Sequence, residues 1–309
     1  MTKHLFILFS FVLFSTSVFA NKIDSLQSDS DVYKFLVSLD SNIKWVHIDY
    51  SYMFGGHTDE DRRIADSIHV KMWQKTDFNN DGQTDLLVYG YLGEACLFAV
   101  IYNNGKYSIH FITVGSLSYP VFPVIKKDNQ VNSIILYYRE ESIDSADKKF
   151  GWANKHFTGK ILCKTLIYKF NYFVEPNYNP TRHFIQNIAF STEQCFGTCP
   201  VYKLFINSKR EVVYESEIYS GTPGKYHTII DTASYNRIVA LLDYINYPSL
   251  SERYSVDWTD MPTCYLTISY DHGKKKKIKD YGEQGTYGLE KLYDEFFKLR
   301  KTQNWRMQK

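Results

Sequence analysis

The chain has 309 residues, 44% of them hydrophobic and 23% charged, which excludes a disordered, collagen-like or coiled-coil protein. Its 36 Lys and Arg offset 34 Asp and Glu to a net charge of +2, so no charge excess points to nucleic acid as a partner. The 26 Tyr and 21 Phe suit half-buried sheet faces, and at roughly 100–200 residues per domain the length predicts two domains.

Residues 1–20 have the pattern of a secretory signal peptide. Lys3 and His4 form a short polar region, Leu5 to Phe14 is almost unbroken Leu, Ile, Phe and Val, and Val18-Phe19-Ala20 precedes Asn21 as a cleavage site. An apolar run of about ten residues is short for a membrane span of roughly 20, and no later stretch reaches that length. No Cys follows the run to carry a lipid anchor. The expectation is an exported protein, periplasmic or extracellular, with no membrane span after cleavage. Export permits disulfides. The cysteines are Cys96, Cys163, Cys195, Cys199 and Cys264, an odd number, so at least one thiol is unpaired within the chain.

In chain order, Val32, Phe35, Leu36 and Leu39 recur at helical spacing and predict a short helix over 31–41. Residues 46–66, with Gly55-Gly56 and the charged run Asp59–Arg63, are expected to be irregular. Strands follow at 69–74, 85–91, 96–102 and 106–114, with Asn103-Asn104-Gly105 as a hairpin turn. More strands are expected at 121–125, 132–139 and 161–173, and an exposed loop at 140–160. Pro176 and Pro180 break regular structure. This divides the chain into a β-meander domain with one short helix over 21–178 and an α+β domain over 179–309.

In the second half, strands are expected at 184–190, 201–207 and 211–219. A hairpin is expected around Asp271-His272-Gly273, with strands 264–270 and 275–281. Ile238, Leu241, Leu242 and Ile245 mark one amphipathic helix; Leu289, Leu292, Phe296 and Leu299 mark another. The fold class is α+β, with an antiparallel sheet packed by two helices.

The most specific chemistry lies in Asp77-Phe78-Asn79-Asn80-Asp81-Gly82-Gln83-Thr84-Asp85. Asp77, Asn79, Asp81 and Asp85 place oxygen side chains at alternating positions, and Gly82 permits the turn that lets Gln83 offer a carbonyl. Calcium takes six to eight hard oxygen ligands, and three carboxylates offset its charge. An EF-hand would need a Glu where Val88 stands and helices on both sides, so the loop joins strands instead. It resembles the Asp-rich calcium loop of FG-GAP/VCBS repeats over residues 68–102, in a single copy. The resemblance implies a structural calcium ion held by Asp77, Asn79, Asp81, Gln83 and Asp85. The alternative is a polar hairpin turn, because Asp, Asn and Gly are also the favoured turn residues.

Cys195-Phe196-Gly197-Thr198-Cys199-Pro200-Val201-Tyr202 is the second distinctive string. Its two cysteines are one residue further apart than a redox C-x-x-C pair. They are candidates for a local disulfide or packed thiols, for a catalytic thiol, or for a zinc or copper site with Cys264 or His272. With Asp260-Met261-Pro262 and Trp305, this half resembles a bacterial domain of unknown function of the DUF6438 type. That family has a Cys-Phe-Gly-x-Cys-Pro-x-Tyr motif after its first strand. The resemblance implies fold and an exported setting, and no activity.

Lys274–Lys277 reads as an edge strand guarded by lysines. Asp257 and Asp260 are the only suggestion of a paired-carboxylate hydrolase. No H-E-x-x-H, G-x-S-x-G or phosphate-loop string occurs. The expected function is therefore a calcium-stabilised binding or interaction protein with a protein or glycan of the cell envelope as partner. The alternative is an envelope-associated hydrolase or a thiol-dependent enzyme.

Overall fold

A computed structural model describes residues 21–54, 58–93, 95–114, 121–128, 131–143, 155–256 and 258–308. The expected signal peptide and Asp257 lie outside the described residues. The chain divides into two compact units, Met1–Ser118 and Tyr119–Lys309. The fold class is α+β, as expected.

In the first unit, α1 (Asp29–Leu39) starts at Ser28, whose hydroxyl accepts from Asp31 N while the Asp31 carboxylate accepts from Ser28 N. It buries Val32, Phe35 and Leu36, as the spacing requires. The segment expected to be irregular instead holds α2 (Tyr50–Phe54) and α3 (Asp59–Ser67), so the one-helix expectation is corrected. The charged run Asp59–Arg63 is a helix start. Thr58 and Asp61 form a second reciprocal cap, and acidic residues in a first turn complement the helix dipole. The sheet runs β1 (Trp73–Thr76), β2 (Asp85–Tyr91), β3 (Ala95–Asn103) and β4 (Lys106–Val114), antiparallel and in sequence order. Asn104 and Gly105 have φ of 49° and 82°, the left-handed pair a two-residue hairpin needs. β2 and β3 are buried along nearly their whole length.

The second unit opens with a separate antiparallel sheet of β5 (Phe122–Lys126), β6 (Ser133–Ile143), β7 (Lys155–Lys169) and β8 (Tyr172–Val174). The single expected meander is thus two sheets. β7 begins earlier than expected, inside the segment assigned to a loop. The chain crosses 178/179 between β8 and β9, and the residues there are tied to the helices that follow. The Glu175 carboxylate accepts from the N–H groups of Tyr287 and Gly288 at 3.0 Å each.

The larger sheet has the order β13-β15-β14-β9-β10-β11-β12-β16. These strands are β9 (Ile185–Thr192), β10 (Tyr202–Asn207), β11 (Glu211–Ser216), β12 (Gly224–Ile229), β13 (Arg253–Ser255), β14 (Thr263–Tyr270), β15 (Lys274–Tyr281) and β16 (Arg306–Met307). Only the β13–β15 pair is parallel. One face buries Ile188, Phe190, Tyr202, Leu204, Leu266 and Ile278 in a single cluster with α4 (Thr232–Tyr244) and α5 (Tyr287–Thr302). α4 contributes Ile238, Leu241 and Leu242, and α5 contributes Leu289, Leu292, Phe296 and Leu299. At roughly 1.5–3 kcal/mol per buried large apolar side chain, this cluster is the dominant stabilising element of the unit.

Candidate functional site

Residues 77–84 join β1 to β2, and Asp85 opens β2. The loop is organised by its own carboxylates. Asp77 accepts from Asp81 N at 3.3 Å and from Gly82 N at 2.8 Å. Asp81 accepts from Gln83 N at 2.8 Å and from the Asn79 amide at 3.0 Å. Asn79 returns its carbonyl to Asp81 N at 3.1 Å. Asn80 and Gly82 take φ of 57° and 80°, so the tight loop exploits the two residue types most at ease there. The loop also holds residues 21–26. Asn21 donates to Thr84 O at 2.7 Å and Thr84 donates to Asp24 at 2.5 Å.

Asp85 is fully buried. Its two oxygens accept from Phe78 N and Tyr102 N, both at 2.8 Å. Burial pushes its carboxyl up to about 7, and the Asp77 and Asp81 charges push in the same direction. The structure therefore brings Asp77, Asn79 and Asp81 into one turn, with Asp85 beneath it and within its field, while Gln83 joins through its backbone. Among the described residues no three His, Cys, Asp or Glu side chains form a ready cage for a metal. The donors are nonetheless hard oxygens with an excess of negative charge, the chemistry a calcium ion takes, and each carboxylate oxygen has a second lone pair beyond its turn-forming bond.

In the second unit, Cys195 and Cys199 form a disulfide with their Cα atoms 5.7 Å apart. This settles the choice among disulfide, packed thiols and metal ligands for these two sulfurs. Cys264 is the second residue of β14, whereas His272 lies beyond the other end of that strand, so the two do not meet. The loop from Glu193 to Val201 links β9 to β10 and is held at several points. Phe196 N donates to Asp260 O at 3.1 Å, Glu193 N to Thr263 O at 2.8 Å, and Thr192 Oγ1 to Pro200 O at 2.6 Å. The Asp260-Met261-Pro262 segment is thus the backbone support of the cysteine loop, and Asp260 adopts φ 68° to provide it. Tyr202, at the end of the motif, is fully buried and packs edge-on against Phe190 and Tyr214. Trp305 lies 4.9 Å from the Tyr214 ring and donates to Arg300 O. Phe196, at the centre of the motif, is 88% exposed.

Two arrangements escaped the sequence reading because their members are distant in the chain. Cys264, Asp280 and Glu283 meet beneath the cysteine loop, where Cys264 Sγ donates to Glu283. His183 Nδ1 lies 2.6 Å from Asp271, at the opposite end of β9. The β14–β15 pairing set by the Asp271–Gly273 turn is the only sequence signal that could have placed the first group together.

The family model described as a domain of unknown function (DUF6438) matches residues 186–300, in agreement with the resemblance noted for this half. The match spans β9 to α5 and so includes the cysteine loop and its support. No curated protein and no solved structure matches the chain.

Proposed function

We propose that this is an exported binding or interaction protein in which the disulfide-closed Cys195–Cys199 loop presents Phe196 to a protein or glycan of the cell envelope. The observation that carries this reading is the exposure of Phe196, 88%, on a loop held by a disulfide and by the Asp260 carbonyl. A large aromatic side chain left in water at a preorganised position is the pattern of an interface anchor. The disulfide agrees with an oxidising compartment, and the chemistry favours display over catalysis here. A sulfur in a disulfide is not a thiolate nucleophile.

In the same reading the Asp77–Asp85 loop binds calcium structurally. Asp77, Asn79, Asp81 and Asp85 would hold the ion with the Gln83 carbonyl, and its charge would offset the buried Asp85 carboxylate.

The test is site-specific photo-crosslinking from position 196 on isolated cell envelopes, with Tyr178 (82% exposed) as the control position. A discrete adduct from 196, absent at 178 and lost in Cys195→Ser/Cys199→Ser, is expected. Equal labelling from both positions would sink the proposal. For the ion, calorimetry should show calcium binding that Asp81→Ala abolishes; no heat at millimolar calcium reduces the loop to a hairpin turn.

A further inference from the structure

A cleft of about 720 Å³ opens where the β7–β8 turn, the segment before β9 and α4 meet. Its size falls within the range of small-ligand sites. It belongs to none of the motifs discussed above. β9 separates it from the cysteine loop by eight residues, about 26 Å of extended chain, so it stands or falls independently of Phe196.

Three features mark it as built. The first is its charge. Lys169 and Arg182 are exposed at the cleft, and neither enters an ion pair among the described residues. The Lys169 ammonium instead lies over the rings of Tyr244 and Phe170, at 4.5 Å and 5.8 Å. The second is Phe170. It and Asn171 both take φ 56° as the central residues of the β7–β8 turn. Asn and Gly ordinarily fill such positions, and a bulky side chain there costs roughly 1–2 kcal/mol. The Phe170 ring lines the cleft, 5.2 Å from Tyr244 and edge-on to it. The third is His183. Its ring is fixed by Asp271 and sits edge-on between Tyr247 and Tyr270. The hydrogen bond with His183 holds Asp271 below the usual carboxylate range. His183 N in turn donates to the Asp243 carboxylate at 3.2 Å.

We propose that this cleft binds an anionic saccharide, with its carboxylate or sulfate on Arg182 and Lys169, ring hydroxyls on His183 and Asp243, and a sugar face on Phe170. A bare inorganic anion would meet the Asp243 carboxylate, so the ligand must bring hydrogen-bond donors together with its negative charge. Hydroxyl groups meet that need better than an ammonium. The Arg182 charge already acts on Asp243, which also accepts from His183 N, so a neutral hydroxyl donor suits its remaining lone pairs. A guanidinium is the side chain best shaped for a carboxylate or sulfate.

The experiment is calorimetry on the purified protein with four probes: trigalacturonate, a sulfated heparin disaccharide, maltotriose and inorganic phosphate. At least one acidic saccharide should bind at micromolar to millimolar concentration, and which one binds identifies the oxyanion. Maltotriose and phosphate should bind at least about tenfold more weakly. Arg182→Gln should weaken the acidic probe about tenfold, and Phe170→Asn, which relieves the left-handed turn but loses the packing of the ring on the core cluster, should weaken it when measured well below the variant's own melting temperature. No binding of either acidic saccharide at millimolar concentration overturns the proposal. So does equal binding of maltotriose or phosphate, or an Arg182→Gln protein that binds like the wild type.

Discussion

The Cys264 thiol donates to a carboxylate oxygen of Glu283 across 3.2 Å. Cys264 is buried and Glu283 half-buried, and burial pushes the thiol well above its ordinary range and Glu283 upward with it. Asp280, fully buried beside them, raises both further. A thiol so placed is protonated and unreactive, the reverse of an activated nucleophile.

Thiol counting tests this directly. Cys163 is exposed, Cys96 and Cys264 are buried, and all three lie outside the disulfide. An aromatic disulfide reagent should titrate one thiol in the native protein, three in denaturant, and five after reduction. Rapid native labelling of Cys264, read by peptide mass mapping, would contradict the assignment.

Glu290 predicts the pH dependence of stability. It lies near the start of α5, and Tyr172 donates to it at 3.4 Å. Burial pushes its carboxyl up to about 8, Glu175 adds to the rise, and Lys164 opposes it. The folded state therefore keeps a proton that the unfolded chain releases near pH 4. The stability it contributes is full below the unfolded value and is lost as pH rises through about 8. Glu290→Gln retains an acceptor for Tyr172 and cannot ionise. It should raise stability by about 1–3 kcal/mol at pH 9 and have little effect at pH 5, as read by denaturant midpoints at the two pH values.

The legible parts of this fold were those written in local pattern. The periodicity of Val32, Phe35 and Leu36 placed α1, that of Leu289, Leu292 and Phe296 placed α5, and Asn104-Gly105 placed the β3–β4 hairpin. α3 was missed because its helix signal is the Thr58–Asp61 cap, carried by residues whose charge also suits a loop. β12 was missed because its residues alternate between half-buried and exposed, so no apolar period marks it. Lys276 escaped notice for a different reason. Within Lys274–Lys277 it is the buried member, with its ammonium donating to Leu250 O, while β13 covers β15 only from Lys279 onward. The His183–Asp271 and Glu175–Gly288 contacts join residues 88 and 113 apart, and only the folded sheet brings them together.

Gly90 predicts a packing cost in the first unit. His47 and Tyr91 exchange backbone hydrogen bonds at 2.8 Å each, which lays the 46–48 segment against β2. A Cβ on Gly90 would stand 2.7 Å from His47 O and 3.2–3.3 Å from the Val46 and Ile48 methyl groups. The nearest atom is backbone and cannot rotate aside. Gly90→Ala should therefore destabilise the protein by about 1–3 kcal/mol, seen as a lower denaturant midpoint at unchanged slope.

The disulfide itself separates display from staple. Only four positions separate Cys195 from Cys199, and closing so short a loop stabilises the fold by about 2 kcal/mol or less, since the entropic term grows with loop length. The sheet beneath is held by its own ladder and by the cluster around Tyr202. Cys195→Ser/Cys199→Ser should therefore fold, with a modest loss of stability, while the loop loosens. The Phe196 amide, which donates to Asp260 O, should lose hydrogen-exchange protection, and crosslinking from position 196 should fall with it. A stability loss beyond about 4 kcal/mol, more than loop closure can supply, would make the disulfide a structural staple. A protected Phe196 amide in the double variant would mean that Asp260 alone holds the loop and that the disulfide contributes nothing to the display of Phe196.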